Sequence, residues 1–232
     1  MSAHWKAIAR RTNPKTIPVF PLNGTVLLPG CDLPLNIFEP RYLNMIDDAL
    51  KGKRLIGMVQ SPEIKKAKSL CDIGGLGRIT QFSETEDGRY LVVLHGLKRF
   101  RVVSEPTMKT PYRQIIPSFD EFQLDPDFHM DENSAQSVID RNGHENPANE
   151  RSALTLAMKG FAKSLGVQVD WKALSDIPLP NLVDQATMIS PFRPEDKQSL
   201  LEASTTDDRR RLLIGLMHLY ANDKNGNNAP KQ

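Results

Sequence analysis

The hydrophobic periodicity of this chain changes once along its length, and that change constrains the fold more than any other feature. Residues 16–120 carry short β-branched and aromatic runs separated by proline and glycine, a pattern typical of strands and turns. From Glu150 onward, apolar residues recur at helical spacing. The chain of 232 residues is therefore predicted to contain a β lobe over 16–120 and a helical lobe over 150–221.

Three segments outside these lobes are polar. Residues 1–15 carry lysine and arginine but no acidic residue, which predicts a flexible basic tail and leaves an organellar transit peptide as the alternative. Residues 121–149 predict a polar, acidic linker or insertion. The carboxylates around His129 leave weak cation binding open, although no glycine stands at the sharp-turn position of a calcium loop. Residues 222–232 predict a disordered tail.

One helix is predicted inside the β lobe, over residues 40–51. Pro40 suits the first helical position, where its missing N–H costs no hydrogen bond, and Gly52 ends the segment. Apolar side chains recur along it at helical spacing: Tyr42, Leu43, Met45, Ile46, Ala49 and Leu50. Strands are predicted around this helix at residues 17–20, 25–28 and 33–38. Their prolines lack N–H donors, which indicates edge or bulged strands.

A hairpin is predicted around Asp87-Gly88, between strands over residues 77–85 and 90–103. Asp-Gly between two β-rich runs suits a tight turn that needs a positive φ. Gly96 inside the second strand indicates a bulge or a close approach of other backbone. Both faces are apolar before Gly96 and one face is basic after it, so we expect this strand to begin in the interior and end at the surface.

The helical lobe is predicted to begin near Glu150 with a helix that Gly166 ends. Its apolar face consists of Leu154, Ala157, Met158, Phe161 and Leu165. Shorter helices follow over 180–190 and 194–203. The last helix opens at residues 205–208, where threonine and aspartate form a capping box with acids on the helix dipole. Its predicted core face consists of Leu212, Leu213, Leu216, Leu219 and Tyr220.

The compact motifs that mark common catalytic sites are missing from the sequence. It has no G-x-x-x-x-G-K-[ST] phosphate loop, no G-x-S-x-G elbow, no S-x-x-K pair and no H-E-x-x-H zinc motif. The glycine-rich residues 74–77 precede a strand and not a helix, so they predict a flexible turn and not a nucleotide site. Cys31 and Cys71 lie far apart, which predicts small buried side chains. We therefore expect a protein that is not an enzyme and that binds no cofactor and no metal.

Net charge and hydropathy limit the kinds of binding partner that we expect. The net charge of +2 is too small to imply a polyanionic partner by itself. No window approaches the roughly 18 apolar residues that a membrane-spanning helix needs. We expect no membrane association and a cytoplasmic location, with an organellar matrix as the alternative because of the basic N-terminal tail.

One stretch is specific enough to indicate a family. Residues 17–30 read IPVFPLNGTVLLPG and residues 33–42 read LPLNIFEPRY. This stretch strongly resembles the N-terminal, substrate-binding domain of Lon ATP-dependent proteases, and IFEPRY is its most specific part. Weaker matching segments follow in the expected order, at residues 56–59, 74–79, 87–90, 96–100 and 197–202, and then at Arg209. The resemblance spans about residues 16–220, and the acidic stretch between the lobes fits it least.

The resemblance implies an α+β fold in which a PUA-like small β-barrel with one inserted helix is followed by a C-terminal helical bundle. In full-length Lon proteases this region helps to recognise protein substrates and supports assembly, whereas the ATPase motor and the Ser-Lys protease lie further along the chain. The present sequence stops where those parts would start. The resemblance therefore implies a stand-alone substrate-binding domain that lacks the Walker motifs and the protease dyad.

The family segment and the basic strand supply the candidate residues for ligand binding or for bridging the lobes: Glu39, Arg41, Arg99, Phe100 and Arg101. Glu39 precedes a helix N-terminus, where the dipole favours a carboxylate. Arg41, in the first turn of that helix, is placed to bridge the helix and the β lobe.

The leading hypothesis is that the chain binds unfolded or extended polypeptide as a substrate-recognition, adaptor or regulatory module, with an ATP-dependent protease as a further partner. The alternative is an RNA-binding module of the PUA-like type, with basic patches at residues 65–68 and 98–101. The low net charge and the lack of an aromatic-rich RNP stretch disfavour nucleic acid. Self-association is left open.

Overall fold

The computed structural model describes residues 13–61, 63–64, 67–122 and 147–222, and these residues form a mixed α+β structure. The strands are β1 (Ile17–Pro21), β2 (Asp32–Ile37), β3 (Leu55–Val59), β4 (Glu63–Ile64), β5 (Ala67–Lys68), β6 (Ile73–Glu84), β7 (Tyr90–Ser104) and β8 (Gln114–Ser118). The helices are α1 (Pro40–Lys51), α2 (Pro147–Leu165), α3 (Trp171–Ser175), α4 (Leu179–Ile189), α5 (Pro194–Glu202) and α6 (Thr206–Asn222), with a 3-10 turn at Asp120–Phe122. The predicted α+β class is confirmed.

Several predictions from the sequence lie outside the described residues. These are most of the basic N-terminal tail, most of the acidic linker with His129, and the C-terminal tail beyond residue 222. The side chains of the basic patch at residues 65–68 lie outside them too.

Six strands form one sheet in the order β2-β7-β6-β3-β1-β8. Strand β8 also pairs with β7, so the pairings of β7, β6, β3, β1 and β8 close into a ring, and β2 is attached to β7 at the outside of it. Strands β1 and β3 pair in parallel, and the chain between them passes through β2 and α1. The long strands β6 and β7 therefore form the frame against which the shorter strands and α1 are arranged.

The hairpin prediction is confirmed. Strands β6 and β7 pair in antiparallel register up to Glu84 and Tyr90, and Gly88 in the turn has a φ of 78°. The predicted irregularity at Gly96 is confirmed as well. Leu76 pairs with Lys98 but the next residue of β6 pairs with Gly96, so that one extra residue of β7 bulges out of the ladder.

Two predictions near the glycine-rich run are wrong. Residues 74–77 lie within β6 and form no turn, and residues 25–28 form no strand. The reason is a close crossing of backbones: a Cβ atom on Gly75 would lie under 3.0 Å from the main-chain oxygen of Leu27, and one on Gly96 equally close to that of Leu28. The segment around Leu27 and Leu28 therefore crosses the sheet as a buried, irregular chain, and the glycines make room for it.

Helix α1 has the predicted bounds, and Pro40 is at its start. Its side chains Tyr42, Met45, Ile46 and Ala49 are buried in the largest cluster of the core. Two tyrosine hydroxyls also bond to it: Tyr90 Oη donates to Asp47 over 3.1 Å, and Tyr112 Oη donates to Asp48 over 2.9 Å. The helix is thus held by apolar packing on one side and by hydrogen bonds from β7 and from the segment before β8 on the other.

The predicted course of β7 from interior to surface is wrong in part. Leu91 near the start of the strand is exposed, whereas Arg99 near its end is only 2% exposed. Arg99 is buried because the helical part of the chain covers it, while Arg101, on the same face, stays half-exposed at the edge of that cover.

The helical part largely follows the sequence pattern. Leu154, Ala157, Met158 and Phe161 are buried together with Leu213 and Leu216 of α6. The predicted capping box is confirmed, since the Asp208 N–H donates to Thr205 Oγ1 over 3.0 Å. Three predicted core leucines are exposed instead: Leu165, Leu212 and Leu219. The short helix α3 was not predicted, although Asp170 caps it by accepting bonds from two main-chain N–H groups.

Candidate functional site

A cleft of about 220 Å³ opens where α1 begins. It lies between the first turn of α1, the turn after β1 and the irregular segment before β8. The lining residues are Pro21, Leu22, Asn23, Arg41, Tyr42, Ser61, Pro111, Tyr112 and Arg113. Proline, leucine and tyrosine supply apolar surface, and the arginine, asparagine and serine side chains supply polar groups beside it.

Glu39 and Arg41 form a pair at the rim of this cleft. Arg41 donates to Glu39 Oε2 from Nε over 2.9 Å and from Nη2 over 2.6 Å. Its guanidinium carbon lies 4.6 Å from the centre of the Tyr42 ring. Glu39 makes no side-chain cap to α1, so its carboxylate binds the arginine rather than the helix N–H groups. Both side chains are half-exposed and accessible to a ligand.

Arg113, which also lines the cleft, forms a second pair with Glu105. Arg113 donates from Nε over 2.7 Å and from Nη2 over 2.5 Å to the two carboxylate oxygens. This bidentate contact lowers the pKa of Glu105. The main-chain oxygen of Arg113 accepts from the Val19 N–H over 3.0 Å, which ties the segment to β1.

Tyr112 lies beside Arg113 and is largely buried. Burial, and then its hydrogen bond to Asp48, raise the pKa of Tyr112 to about 12. The phenol therefore stays neutral at physiological pH and remains a hydrogen-bond donor. Sequence reasoning missed Tyr112 and Arg113, because residues 105–113 form no regular element whose pattern would place them in the cleft.

The cleft combines an apolar floor with a rim in which each arginine is neutralised by a glutamate. Both arginines of the lining are paired with a glutamate, so the cleft does not select a strongly charged ligand. The lining residues include no cysteine and no histidine.

Arg99 lies at a second location, the junction between the sheet and α5. Its Nη1 donates to the main-chain oxygens of Leu201 over 2.8 Å and of Ala203 over 2.6 Å. Its guanidinium carbon lies 4.3 Å from the centre of the Phe122 ring. The two acceptors stand at the C-terminal end of α5, where carbonyl groups lack helical partners and the helix dipole favours a cation.

The remaining two candidates lie elsewhere. Phe100 is fully buried within the ring of strands, with its ring 6.4 Å from that of Phe119, so it is a packing residue. Arg101 donates to both carboxylate oxygens of Glu121, over 2.7 Å and 3.0 Å. The five sequence candidates are thus not brought to one site: two lie at the cleft, one at the junction, one in the core and one in a surface ion pair.

Within the part of the chain that the structure describes, no helix is long and apolar enough to cross a membrane. The same residues hold no group of three or more His, Cys, Asp or Glu side chains arranged to bind a metal ion.

The described residues thus define an α+β protein in which a ring of strands is joined to a helical part through a buried junction, with a neutral cleft on the strand side. The family described as the ATP-dependent protease La (LON) substrate-binding domain matches residues 16–218. The chain belongs to this family, as the IFEPRY segment indicated.

Curated relatives and solved structures agree with this assignment. Lon protease 2 of Sorangium cellulosum is 33% identical over 112 residues, which are 44% of this chain and 14% of that protein. The Lon protease of Buchnera aphidicola is 23% identical over 225 residues, which are 90% of this chain and 26% of that protein. The chain therefore spans only a minor part of the length of these relatives.

Two solved structures share the fold. The Lon N-terminal domain protein from Xanthomonas campestris superposes with a TM-score of 0.59 at 21% identity, covering 87% of this chain and 98% of that one. The N-terminal domain of the Mycobacterium avium complex Lon protease gives a TM-score of 0.57 at 17% identity, covering 88% and 98%.

Proposed function

We propose that this chain binds extended polypeptide segments as a substrate-recognition, adaptor or regulatory module of ATP-dependent proteolysis, and that it has no catalytic activity of its own. The observation that carries the proposal is the match of residues 16–218 to a substrate-binding domain family of a protease. We propose further that the closed ring of strands is a small barrel of the PUA-like type.

The cleft at the start of α1 is the proposed binding site. Its volume of about 220 Å³ is below the roughly 300–1,000 Å³ of a typical small-molecule pocket, and it suits one or two side chains of a longer segment. Tyr42 and Tyr112 line the cleft but are only 7% and 8% exposed, so they form a rigid wall and supply little contact surface. Asn23, Ser61 and the two arginines place polar atoms beside the rings, and each of them is also held by a hydrogen bond within the protein.

The basic side chains at residues 98–101, which the alternative assigned to RNA, do not support RNA binding. Arg99 is buried in the junction, and Arg101 is held by Glu121. Lys98 Nζ lies 4.1 Å from the centre of the Phe119 ring and donates to Asn13. These residues are engaged within the protein and do not form a free phosphate-binding surface.

The test is fluorescence anisotropy with labelled carboxymethylated α-lactalbumin, a permanently unfolded protein, and with a labelled single-stranded RNA. Polypeptide affinity should change little between 50 and 200 mM salt, because apolar burial is not screened. RNA held by phosphate contacts would instead lose affinity with a log–log slope of about −0.7 per contact.

Arg41→Glu is the cleft variant, and Arg89→Glu is its matched control. Both arginines are 50% exposed and pair with a neighbouring acid, but Arg89 lies in the β6–β7 turn. Arg41→Glu places a second carboxylate beside Glu39 and removes the contact with Tyr42, so we expect about a tenfold loss of affinity, or ~1.4 kcal/mol. If Arg41→Glu and Arg89→Glu bind the unfolded protein with equal affinity, the binding site lies outside the cleft. Tight, salt-sensitive RNA binding without polypeptide binding would refute the proposed function.

The proposed lack of catalysis has its own test. Purified protein should hydrolyse neither ATP nor casein, because the sequence carries no phosphate loop and no serine–lysine pair. An activity that co-purifies with the protein and is lost on a point substitution would contradict this part of the proposal.

A further inference from the structure

We infer that Gln60 is a positioning residue that couples the cleft to helix α5, so that occupancy of the cleft and docking of α5 on the sheet are linked equilibria. The role of the cleft rests on the proposed function, whereas the coupling itself rests on the contacts of Gln60 and Gln198.

Gln60 lies immediately after β3 and is only 2% exposed, which is unusual for an uncharged polar side chain of this size. Its Oε1 accepts from the Gly24 N–H over 2.8 Å. Its Nε2 donates to the main-chain oxygen of Pro194 over 2.9 Å and to Gln198 Oε1 over 3.0 Å. A single amide therefore bonds both to a turn of the strand part and to the N-terminal half of α5.

The amide of Gln60 can adopt one orientation only. A main-chain N–H faces its oxygen and a main-chain carbonyl faces its nitrogen, so a flipped amide would oppose donor to donor and acceptor to acceptor. Both N–H groups of Nε2 are used. If the contacts with α5 are lost, the Gln60 amide nitrogen is left buried without acceptors. Burying an unsatisfied amide costs free energy, so the buried position of Gln60 is then less favourable.

The turn that Gln60 holds is part of the cleft. Gly24 follows Asn23, and Gln60 precedes Ser61, and both of these neighbours line the cleft. Asn23 and Ser61 are themselves joined, since the Ser61 N–H donates to Asn23 Oδ1 over 2.8 Å. Any displacement of Gln60 therefore moves one wall of the cleft.

Gln198 extends the connection on the helical side. Its Nε2 donates to the main-chain oxygen of Ile73 over 3.1 Å and to Glu202 Oε1 over 2.7 Å. The chain of bonds runs from Gly24 through Gln60 and Gln198 to the start of β6 and to the end of α5. Through hydrogen bonds in series of this kind, we expect a ligand at one end to affect the other end, and linkage makes the effect reciprocal.

The experiment uses Gln198→Ala, a substitution in α5 of a side chain that bonds to Gln60, Ile73 and Glu202, none of which lines the cleft, with Ser199→Ala as its control. Ser199 is exposed on the same helix, and its hydroxyl bonds only within the helix, to the oxygen of Glu195. Hydrogen exchange of the Gly24 and Ser61 amides is measured by NMR without ligand, and the affinity for labelled carboxymethylated α-lactalbumin is measured by anisotropy.

We expect exchange at Gly24 and Ser61 to rise about fivefold or more in Gln198→Ala, and affinity to fall by about the same factor, with Ser199→Ala unchanged. Unchanged exchange at both amides overturns the coupling. If wild type binds the unfolded protein and Gln198→Ala binds it with the same affinity, the coupling is overturned as well. If wild type does not bind the unfolded protein, the proposed function fails, and the exchange measurement alone still decides whether Gln198 controls the wall of the cleft.

Discussion

Arg99 Nη1 donates a 2.8 Å hydrogen bond to the main-chain oxygen of Leu201, across 102 positions of sequence. This bond joins β7, the longest strand, to the C-terminal end of α5. Leu201 is also buried against Val26, Leu28 and Ile73 of the strand part. The junction thus combines apolar packing with a buried cation on helix carbonyls, and we expect the two parts to unfold together.

The first prediction compares Arg99→Leu with Arg101→Leu. Both arginines lie on one face of β7, but the buried Arg99 satisfies two main-chain carbonyl groups at the end of α5, whereas Arg101 forms an ion pair with 43% of its side chain exposed. We expect Arg99→Leu to lower the free energy of unfolding by about 2 kcal/mol or more, and Arg101→Leu by less than about 1 kcal/mol. Urea denaturation measures both, and equal effects would show that Arg99 does not hold the junction.

The features that the sequence predicted well are encoded locally. Helix α1 is bounded by Pro40 and Gly52, and the hairpin turn needs only the positive φ of Gly88. The capping box at Thr205 is complete within four residues. Each of these depends on neighbours in the chain, so the local residue types determine the outcome.

Features that depend on distant contacts were missed. Strand alternation places Arg99 and Arg101 on one face but does not reveal that α5 covers only Arg99. At the cleft, Glu39 and Arg41 were predicted because they belong to the family segment. Arg113 was not predicted, because it lies in an irregular segment. Sequence patterns predict which face a residue occupies, and only the packing of distant elements decides what covers that face.

The second prediction concerns the crossing of backbones over the sheet. Alanine at Gly75 or Gly96 would bring a Cβ atom under 3.0 Å from a main-chain oxygen, which cannot move aside as a flexible side chain can. We expect either substitution to destabilise the fold by about 1–3 kcal/mol or more. Gly160→Ala is the control, because that helical position faces open space, and it should stabilise by up to about 1 kcal/mol. Thermal unfolding of all three variants checks the prediction, and tolerance at Gly75 and Gly96 would contradict the close crossing.

The third prediction follows from the Glu105–Arg113 pair. Because Arg113 lowers the pKa of Glu105 in the folded protein, folding favours the ionised carboxylate. That contribution is fully present above the unfolded-chain pKa of about 4.3 and is lost as pH falls through the lower folded pKa.

Glu105→Gln should therefore be less stable than wild type at pH 7, by less than about 1 kcal/mol because the pair is partly exposed. The difference should shrink below about pH 4 and vanish at lower pH. Glu86→Gln, at an exposed position in the β6–β7 turn, is the control for loss of one negative charge. A difference that persists unchanged at low pH would show that packing, and not the ion pair, accounts for the effect of Glu105.

The fourth prediction concerns the two cysteines, neither of which forms a disulfide. Burial, followed by the charge of Asp184, raises the pKa of Cys31 to about 12. At pH 8 a far smaller fraction of the Cys31 thiol is therefore ionised than of an ordinary cysteine thiol. Burial also raises the pKa of Cys71, but this side chain is partly exposed.

Since the thiolate is the reactive form, we expect Ellman's reagent to modify Cys71 slowly in the native protein and to reach Cys31 only after denaturation. Cys71→Ser should then show no native reaction and one thiol in guanidinium chloride, while Cys31→Ser keeps the slow native phase. A rapid native reaction of Cys71→Ser would mean that Cys31 is accessible through opening of the core cluster that joins the strand part to α5.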